Sequence, residues 1–266
     1  MTGVKPQVMV VIPARYGSSR FPGKPLVKLG HKPLIQHVYE QAASCRSVNE
    51  VLVATDDERI RETVERFGGR AVMVTGDYRT GTDRVAAVAR TIPGEYFLNL
   101  QGDEIPETPA LLDDLIDPFL ACDAEMGTLK RAMDKEDALD NPAAVKVVTD
   151  SRGHALYFSR APIPLVRDGI HGQVVSGLHY LHLGLYIYRR EALLRFATWP
   201  TGKLEEAEKL EQLRALQQGM RIRVWDTSHR SLRVDTPEDA AEVADKLQRG
   251  ESRKQNSQVG GTVSAR

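Results

Sequence analysis

The chain has 266 residues, with Lys+Arg and Asp+Glu both at 36 and a formal net charge of zero. That balance excludes a global field drawing the protein to nucleic acid or an anionic membrane, so any basic site must be local. An apolar content of 41% with 27% charged residues marks a globular chain long enough to bury a core. Cys45 and Cys122 are the only cysteines. Without C-x-x-C spacing or a His cluster they argue against a disulfide framework or zinc site and suit a reducing cytoplasm. No signal-type apolar segment is read at the N-terminus and no run nears membrane-spanning length, so a cytoplasmic protein is expected.

The first element sets the theme. Val8 to Ile12 is an unbroken apolar run, the composition of a strand covered on both faces of a parallel sheet. Pro13 ends it. The loop that follows holds Gly17, Ser18, Ser19 and Gly23 together with Arg15, Arg20 and Lys24. Glycines let backbone N–H groups approach an anion and the cations neutralise it, which points to a triphosphate. It is no P-loop: Gly17 to Gly23-Lys24 is one residue too long, and Pro25 replaces the metal-holding hydroxyl. A dinucleotide G-x-G-x-x-G is absent as well. The bland alternative is a basic, solvated loop after a core strand.

After Pro33, Leu34, Ile35, Val38, Tyr39 and Ala42 mark one face of a helix. Val51 to Ala54 reads as a strand ending at Thr55-Asp56-Asp57. A helix carrying Ile60, Val64 and Phe67 stops at Gly68-Gly69. Ala71–Val74 predicts a third strand, Gly81–Thr91 a helix with Val85, Val88 and Ala89 inward, and Tyr96–Leu100 a fourth strand. This alternation predicts an α/β fold, a mostly parallel sheet with helices on both faces. Ligands in such sheets bind beyond the carboxyl ends of the strands. The Arg15–Lys24 loop, the Thr55–Asp57 turn and the Gln101–Glu104 turn should therefore share one edge. Thr108 is placed to cap a helix bearing Leu111, Leu112, Leu115 and Phe119. Strands are expected over 128–133, 145–149, 154–158, 181–188 and 222–225, and one charged helix over 204–218. A last helix should span 237–247, giving one domain over 8–249 and a polar, disordered tail over 250–266.

Asp103, at a strand's carboxyl end, can hold Mg²⁺ against phosphate oxygens; as a bland alternative it is a turn or N-cap aspartate. Asp235 is a second candidate, with a plain N-cap ahead of Pro237 as its alternative. Thr80-Gly81-Thr82-Asp83-Arg84 can offer hydroxyls and backbone donors to a base or sugar. Arg160 suits a carboxylate, where a bidentate guanidinium is favoured. His182 can donate to a substrate or be a satisfied core group.

Taken together the motifs are specific. V-I-P-A-R-Y-G-S-S-R-F-P-G-K-P-L at 11–26, A-T-D-D at 54–57, T-G-T-D-R at 80–84 and L-Q-G-D-E at 100–104 come first. N-P-x-x-V-K-V-V at 141–148, Y-F-S-R-A-x-I-P at 157–164, H-L-G-L-Y at 182–186, L-E-Q-L-R at 210–214 and V-D-T-P-E-D at 234–239 follow. In this order they resemble the cytidylyltransferases that activate 3-deoxy-manno-octulosonate. The first block would also fit the sialate-activating enzymes; Y-F-S-R and L-E-Q-L-R favour the octulosonate group.

The resemblance implies a Rossmann-like, nucleotide-diphospho-sugar transferase-like domain with a smaller lid and dimerisation region, acting as a homodimer. It implies transfer of CMP from CTP to the sugar acid, releasing pyrophosphate, for lipopolysaccharide synthesis, with Mg²⁺ as cofactor. Arg15 and Lys24 would bind the triphosphate, and Asp103 and Asp235 would hold the metal. Pro13, Ala14, Arg79, Thr80, Gly81, Thr82, Arg84, Gln101 and Gly102 would line the nucleotide side. Arg160, His182, Tyr186, Glu211 and Gln212 would surround the sugar acid. No protein nucleophile is required, because positioning and charge stabilisation suffice for attack on the α-phosphorus.

Three places depart from the pattern: Tyr78-Arg79-Thr80 stands where His-Gln-Ser is usual, Ile105 where proline is, and Pro200-Thr201-Gly202-Lys203 where a Ser-Pro form is. Other sugar acids (a sialate or an amino-octulosonate), a nucleotide-binding regulator and a glycosyltransferase remain as alternative readings, since fold alone does not fix function.

Overall fold

The computed structural model describes residues 7–17, 21–169 and 172–259, with side chains as far as residue 249. The central strand is β1 (Val8–Ala14). It is followed by a 3₁₀ turn (Lys24–Leu26), a small hairpin of β2 (Lys28–Leu29) and β3 (Lys32–Pro33), and α1 (Leu34–Ala43). Then come β4 (Glu50–Thr55), α2 (Glu58–Arg66), β5 (Ala71–Met73), α3 (Gly81–Thr91), β6 (Tyr96–Asn99), β7 (Glu104–Pro106) and α4 (Ala110–Leu120). The second half holds β8 (Met126–Ala132), β9 (Lys146–Thr149), β10 (Ala155–Ser159) and β11 (Tyr180–Arg189). It closes with α5 (Arg190–Phe196), α6 (Lys203–Glu208), α7 (Gln212–Gln217), β12 (Ile222–Asp226), β13 (Ser231–Arg233) and α8 (Pro237–Val259).

Nine strands form one sheet in the order β10-β9-β11-β6-β1-β4-β5, with β8 pairing β11 and β12. β1 runs parallel to both β4 and β6, and β5 parallel to β4. These are the four strands whose alternation with helices the sequence predicts. β11 turns back antiparallel against β6 and β8. β1 explains the layering. Val8, Val10 and Ile12 face α1, α4 and the start of α8, while Met9 and Val11 face α3, α5 and α7. All five are fully buried, each contributing about 1.5–3 kcal/mol of burial.

The helices differ from the sequence expectation in three places. The single helix expected over 204–218 is two, α6 and α7, broken at Lys209. With φ 54°, Lys209 is the one non-glycine residue at positive φ among the described residues, a conformation that ends a helix. Beyond it Leu210 turns into the core. The last helix, expected to close at 247, is α8 and continues to Val259; residues 260–266 of the expected tail lie outside the described residues. At α4 the N-cap position belongs to Pro109 and not to Thr108, whose hydroxyl accepts from Ala110 N at 3.4 Å. Among the described residues no helix is long and apolar enough to cross a membrane.

Candidate active site

The parallel strands deliver their carboxyl ends to one cavity of about 320 Å³. Pro13, Ala14 and Arg15 come from the end of β1, and Gln101, Gly102 and Asp103 from the turn after β6. Thr80, Gly81 and Arg84 come from the start of α3, joined by Arg79. Gly102 makes the approach possible, since a Cβ there would lie 3.0 Å from the carbonyl oxygen of Pro13. Thr80 caps α3 by accepting from Asp83 N at 3.2 Å. The positive end of that helix therefore opens beside the cavity, where it favours an anion.

Lys24 is set by its own turn. Gly23, at φ 73°, precedes it, and Gly23 N donates to Tyr16 O at 2.9 Å, closing the loop. Ser18, Ser19 and Arg20, the rest of the expected anion loop, lie outside the described residues. The Lys24 ammonium then reaches Asp103 Oδ2 at 2.6 Å and Asp235 Oδ1 at 3.5 Å. A two-stranded ribbon makes this possible: β7 pairs antiparallel with β13, Glu104 opposite Arg233, and Val234 N donates to Asp103 O at 2.9 Å. Asp235 is not the helix cap. Asp239 accepts from the N–H groups of Asp235 and Thr236 at 2.8 and 2.9 Å, and Thr236 Oγ1 accepts from Asp239 N at 3.2 Å. The capping is done by those two residues, and the Asp235 carboxylate is turned to Lys24 and to Arg233 Nε, 2.8 Å away.

Two carboxylates converging on one cation are the donor set that suits Mg²⁺, which takes one or two protein carboxylates and completes its shell from water and phosphate. Among the described residues no group of three or more His, Cys, Asp and Glu is arranged as a cage. Such a metal would depend on the substrate's oxygens.

The other expected residues are distributed unevenly. Arg84 lines the cavity but is buried, held by Asp56 Oδ2 at 2.9 Å and Val74 O at 3.3 Å; the Thr55–Asp57 turn thus contributes through it. Thr82 is buried behind the wall, accepting from Asn99 Nδ2 at 3.1 Å. Glu211 does line the cavity. Burial raises its pKa, against the pull of the Thr82 and Thr80 hydroxyls and the Arg214 charge, and its Oε2 has no hydrogen-bond partner. Gln212, next to it, is buried at the head of α7. His182 and Tyr186 lie on β11 with ring centroids 5.3 Å apart. Both are buried and outside the cavity lining. Arg160 is outside it too. Its guanidinium donates to the carbonyls of Glu208 and Pro142, each at 2.7 Å, and of Lys209 at 3.4 Å. Those bonds clamp the α6–α7 break to the end of β10.

Arg233, Tyr78 and Pro25 also line the cavity and are not among the residues expected there from the sequence. For Arg233 the signal lies in pairing: the β7–β13 ladder sets it opposite Glu104 and so beside Asp103.

Comparison with known proteins agrees with this geometry. A profile described as cytidylyltransferase matches residues 9–222. The chain is 50% identical over 247 residues to the 3-deoxy-manno-octulosonate cytidylyltransferase of Geobacter sulfurreducens, covering 90% of this chain and 99% of that one. It is 49% identical to the protein of the same name from Thermodesulfovibrio yellowstonii, over 89% of this chain and 96% of the other. Among solved structures, CMP:2-keto-3-deoxy-manno-octonic acid synthetase complexed with CTP superposes with a TM-score of 0.85 at 39% identity, covering 92% of this chain and 99% of that one. A glucose-1-phosphate thymidylyltransferase from Bacillus anthracis shares the fold, with a TM-score of 0.61 at 15% identity over 89% of this chain and 95% of that one.

Proposed function

The chain belongs to the cytidylyltransferase family, and from that premise we propose that it transfers CMP from CTP to 3-deoxy-manno-octulosonate. The reading is carried by one observation: Arg15, Lys24, Asp103 and Asp235 meet in one cavity at the strand ends, opposite the Thr80-Gly81 turn. The anomeric hydroxyl attacks the α-phosphorus of CTP. A carbon–oxygen–phosphorus link forms, the bond to pyrophosphate breaks, and the hydroxyl proton is released. Two anions must be brought together, so the chain's part is to orient them and neutralise their charge. Arg15 and Lys24 take the triphosphate. Asp103 and Asp235 would hold Mg²⁺, which when bound supplies charge neutralisation at the phosphates. Glu211, with Gln212, His182 and Tyr186 behind it, forms the sugar side, and Arg160 holds the break that presents Glu211. The product is the activated sugar of lipopolysaccharide synthesis, made in the cytoplasm.

The test is pyrophosphate release with CTP, UTP, ATP and GTP crossed against several sugar acids. Turnover only with CTP and 3-deoxy-manno-octulosonate supports the reading. Preference for a sialate, or CTP binding with no pyrophosphate, overturns it.

Glu211 gives a prediction with opposite signs for stability and activity. Because its folded pKa is raised, the folded state holds that proton more tightly than the unfolded chain. Stability is favoured at low pH and lost as pH rises from the unfolded pKa through the folded one. Glu211→Gln removes this cost, so the variant melts higher than the parent at pH 7 and equals it near pH 4. Use of the sugar acid should fall about tenfold or more, since a lost charged acceptor leaves substrate donors unpaired.

Arg79 belongs to the nucleotide side. Its Nη1 donates to Thr201 Oγ1 at 3.0 Å, so two segments that depart from the family pattern touch at the cavity mouth. Arg79→Gln is expected to change the CTP-over-UTP ratio of kcat/KM, a base contact. An equal loss for both nucleotides, steeper at low salt, would assign it to phosphate, and unaltered kinetics for CTP and UTP would place it in solvent.

The homodimer has a candidate face on β10 and the segment before β11, where Leu156 and Leu165 are 61% and 70% exposed and Val175 and Leu178 about 40%. Large apolar side chains left exposed along one stretch of chain suit an interaction surface. Sedimentation should give twice the chain mass for the parent and a monomer for Leu165→Asp.

A further inference from the structure

β11 is irregular where it carries the H-L-G-L-Y block. Its pairing with β8 slips between Leu183 and Tyr186, a bulge of the kind that re-aims side chains beside a site. Thr128, fully buried on β8, sits at the slip. Its Oγ1 lies 2.7 Å from Leu185 O, 3.2 Å from Leu183 O and 3.0 Å from His182 Nε2. A hydroxyl has one proton to give. The two carbonyl oxygens can only accept. If the proton went to the imidazole, both carbonyls would face lone pairs of Oγ1 with no hydrogen between them. The cluster is satisfied when the hydroxyl donates to a carbonyl and the ring nitrogen carries its own proton, donating it to Oγ1.

We propose that Thr128 is a positioning residue that fixes His182 as the Nε2–H tautomer, so that its Nδ1 lone pair accepts a hydrogen bond from a hydroxyl of the sugar acid. This rests on the placing of His182 in the sugar half of the site. The ring is enclosed by Phe158 and Tyr186, with centroids 4.9 and 5.3 Å away. Burial there pushes its pKa down to about 3, so it is a neutral group and no counter-ion for the substrate carboxylate. The proposed role is that of an acceptor, where the sequence offered a donor or a satisfied core group at His182. A bare imidazole nitrogen selects for an O–H or N–H at the sugar position facing it and against a deoxy or methyl-ether analogue.

The experiment is ¹⁵N NMR of histidine-labelled full-length protein, with the His182 signals assigned by their loss in His182→Asn. The parent should show a protonated Nε2 and a bare Nδ1. Thr128→Val keeps the shape and removes the hydroxyl; it should give mixed tautomers and raise KM for 3-deoxy-manno-octulosonate about tenfold, the worth of one hydrogen bond. KM for CTP should stay within about twofold of the parent. Thr128→Ser should restore both readouts. A protonated Nδ1 in the parent overturns the proposal whether or not any variant folds. An unchanged tautomer in Thr128→Val overturns it as well. If the tautomer is as stated but neither Thr128→Val nor His182→Asn moves KM for the sugar acid, the acceptor role is overturned because His182 lies outside the sugar site, while pyrophosphate release still tests the activity separately.

Discussion

Asp103→Asn and Asp235→Asn are each expected to lower kcat/KM by about a hundredfold or more, the scale of losing a charge that organises a transition state, while circular dichroism and thermal melting stay close to the parent. Both changes keep the side chain's size and remove one carboxylate from the pair that converges on Lys24. Asparagine caps a helix about as well as aspartate, and at this helix Thr236 and Asp239 do the capping in any case. Loss of activity in Asp235→Asn therefore reports the site and not the fold. Binding without metal should go the other way. Removing a negative charge beside the triphosphate leaves Lys24 with one carboxylate fewer to compete with phosphate, so metal-free CTP affinity should hold or tighten, read by calorimetry in EDTA. Full turnover at saturating Mg²⁺ in either variant would take that residue out of the metal site.

The parallel half of the fold was legible because each of its strands is a short apolar run flanked by amphipathic helices, and burial on both faces leaves that signature. The strand-end part of the candidate cavity was legible for a related reason. Its residues follow directly after strand ends, so Pro13, Ala14, Gln101, Gly102 and Asp103 are placed by local sequence and a topological rule. What was not legible depends on pairing between distant segments. Arg233 enters the cavity through the β7–β13 ribbon, and those strands are three residues each, too short to show a period. The break at Lys209 was hidden too, because the leucine stripe over 204–216 continues at near-helical spacing across it. Only the buried partners on either side reveal that the chain turns there. Arg160 is expected from its neighbours to meet a carboxylate; the sequence does not show that three of its guanidinium's five N–H groups donate to backbone carbonyls of distant segments.

The break at Lys209 brings the largest expected effect on stability. α6 and α7 are joined by Glu205 and Arg214, whose Oε2–Nε and Oε1–Nη2 pairs lie at 2.7 and 2.5 Å, with side chains 7% and 1% exposed. The guanidinium also rests 4.7 Å from the centre of the Phe196 ring. A bidentate pair this deep repays its desolvation only while both members are present. Arg214→Met leaves a carboxylate buried without its counter-ion and should cost about 3–5 kcal/mol, lowering the melting temperature by roughly 10 °C for a chain of this size. Glu205→Leu should cost a similar amount. The double variant should be markedly less destabilised than the sum of the two, because no unpaired charge remains. A single Arg214→Met within about 1 kcal/mol of the parent would show that the pair is not buried as described. The double variant also separates stability from function. It restores an apolar joint between the helices but not the two parallel hydrogen bonds that set their angle. Glu211 and Gln212 lie at the head of α7, so their placing depends on that angle. Use of the sugar acid should remain impaired in a protein that folds well, while CTP binding, built largely from strand ends that α6 and α7 do not carry, should be close to the parent.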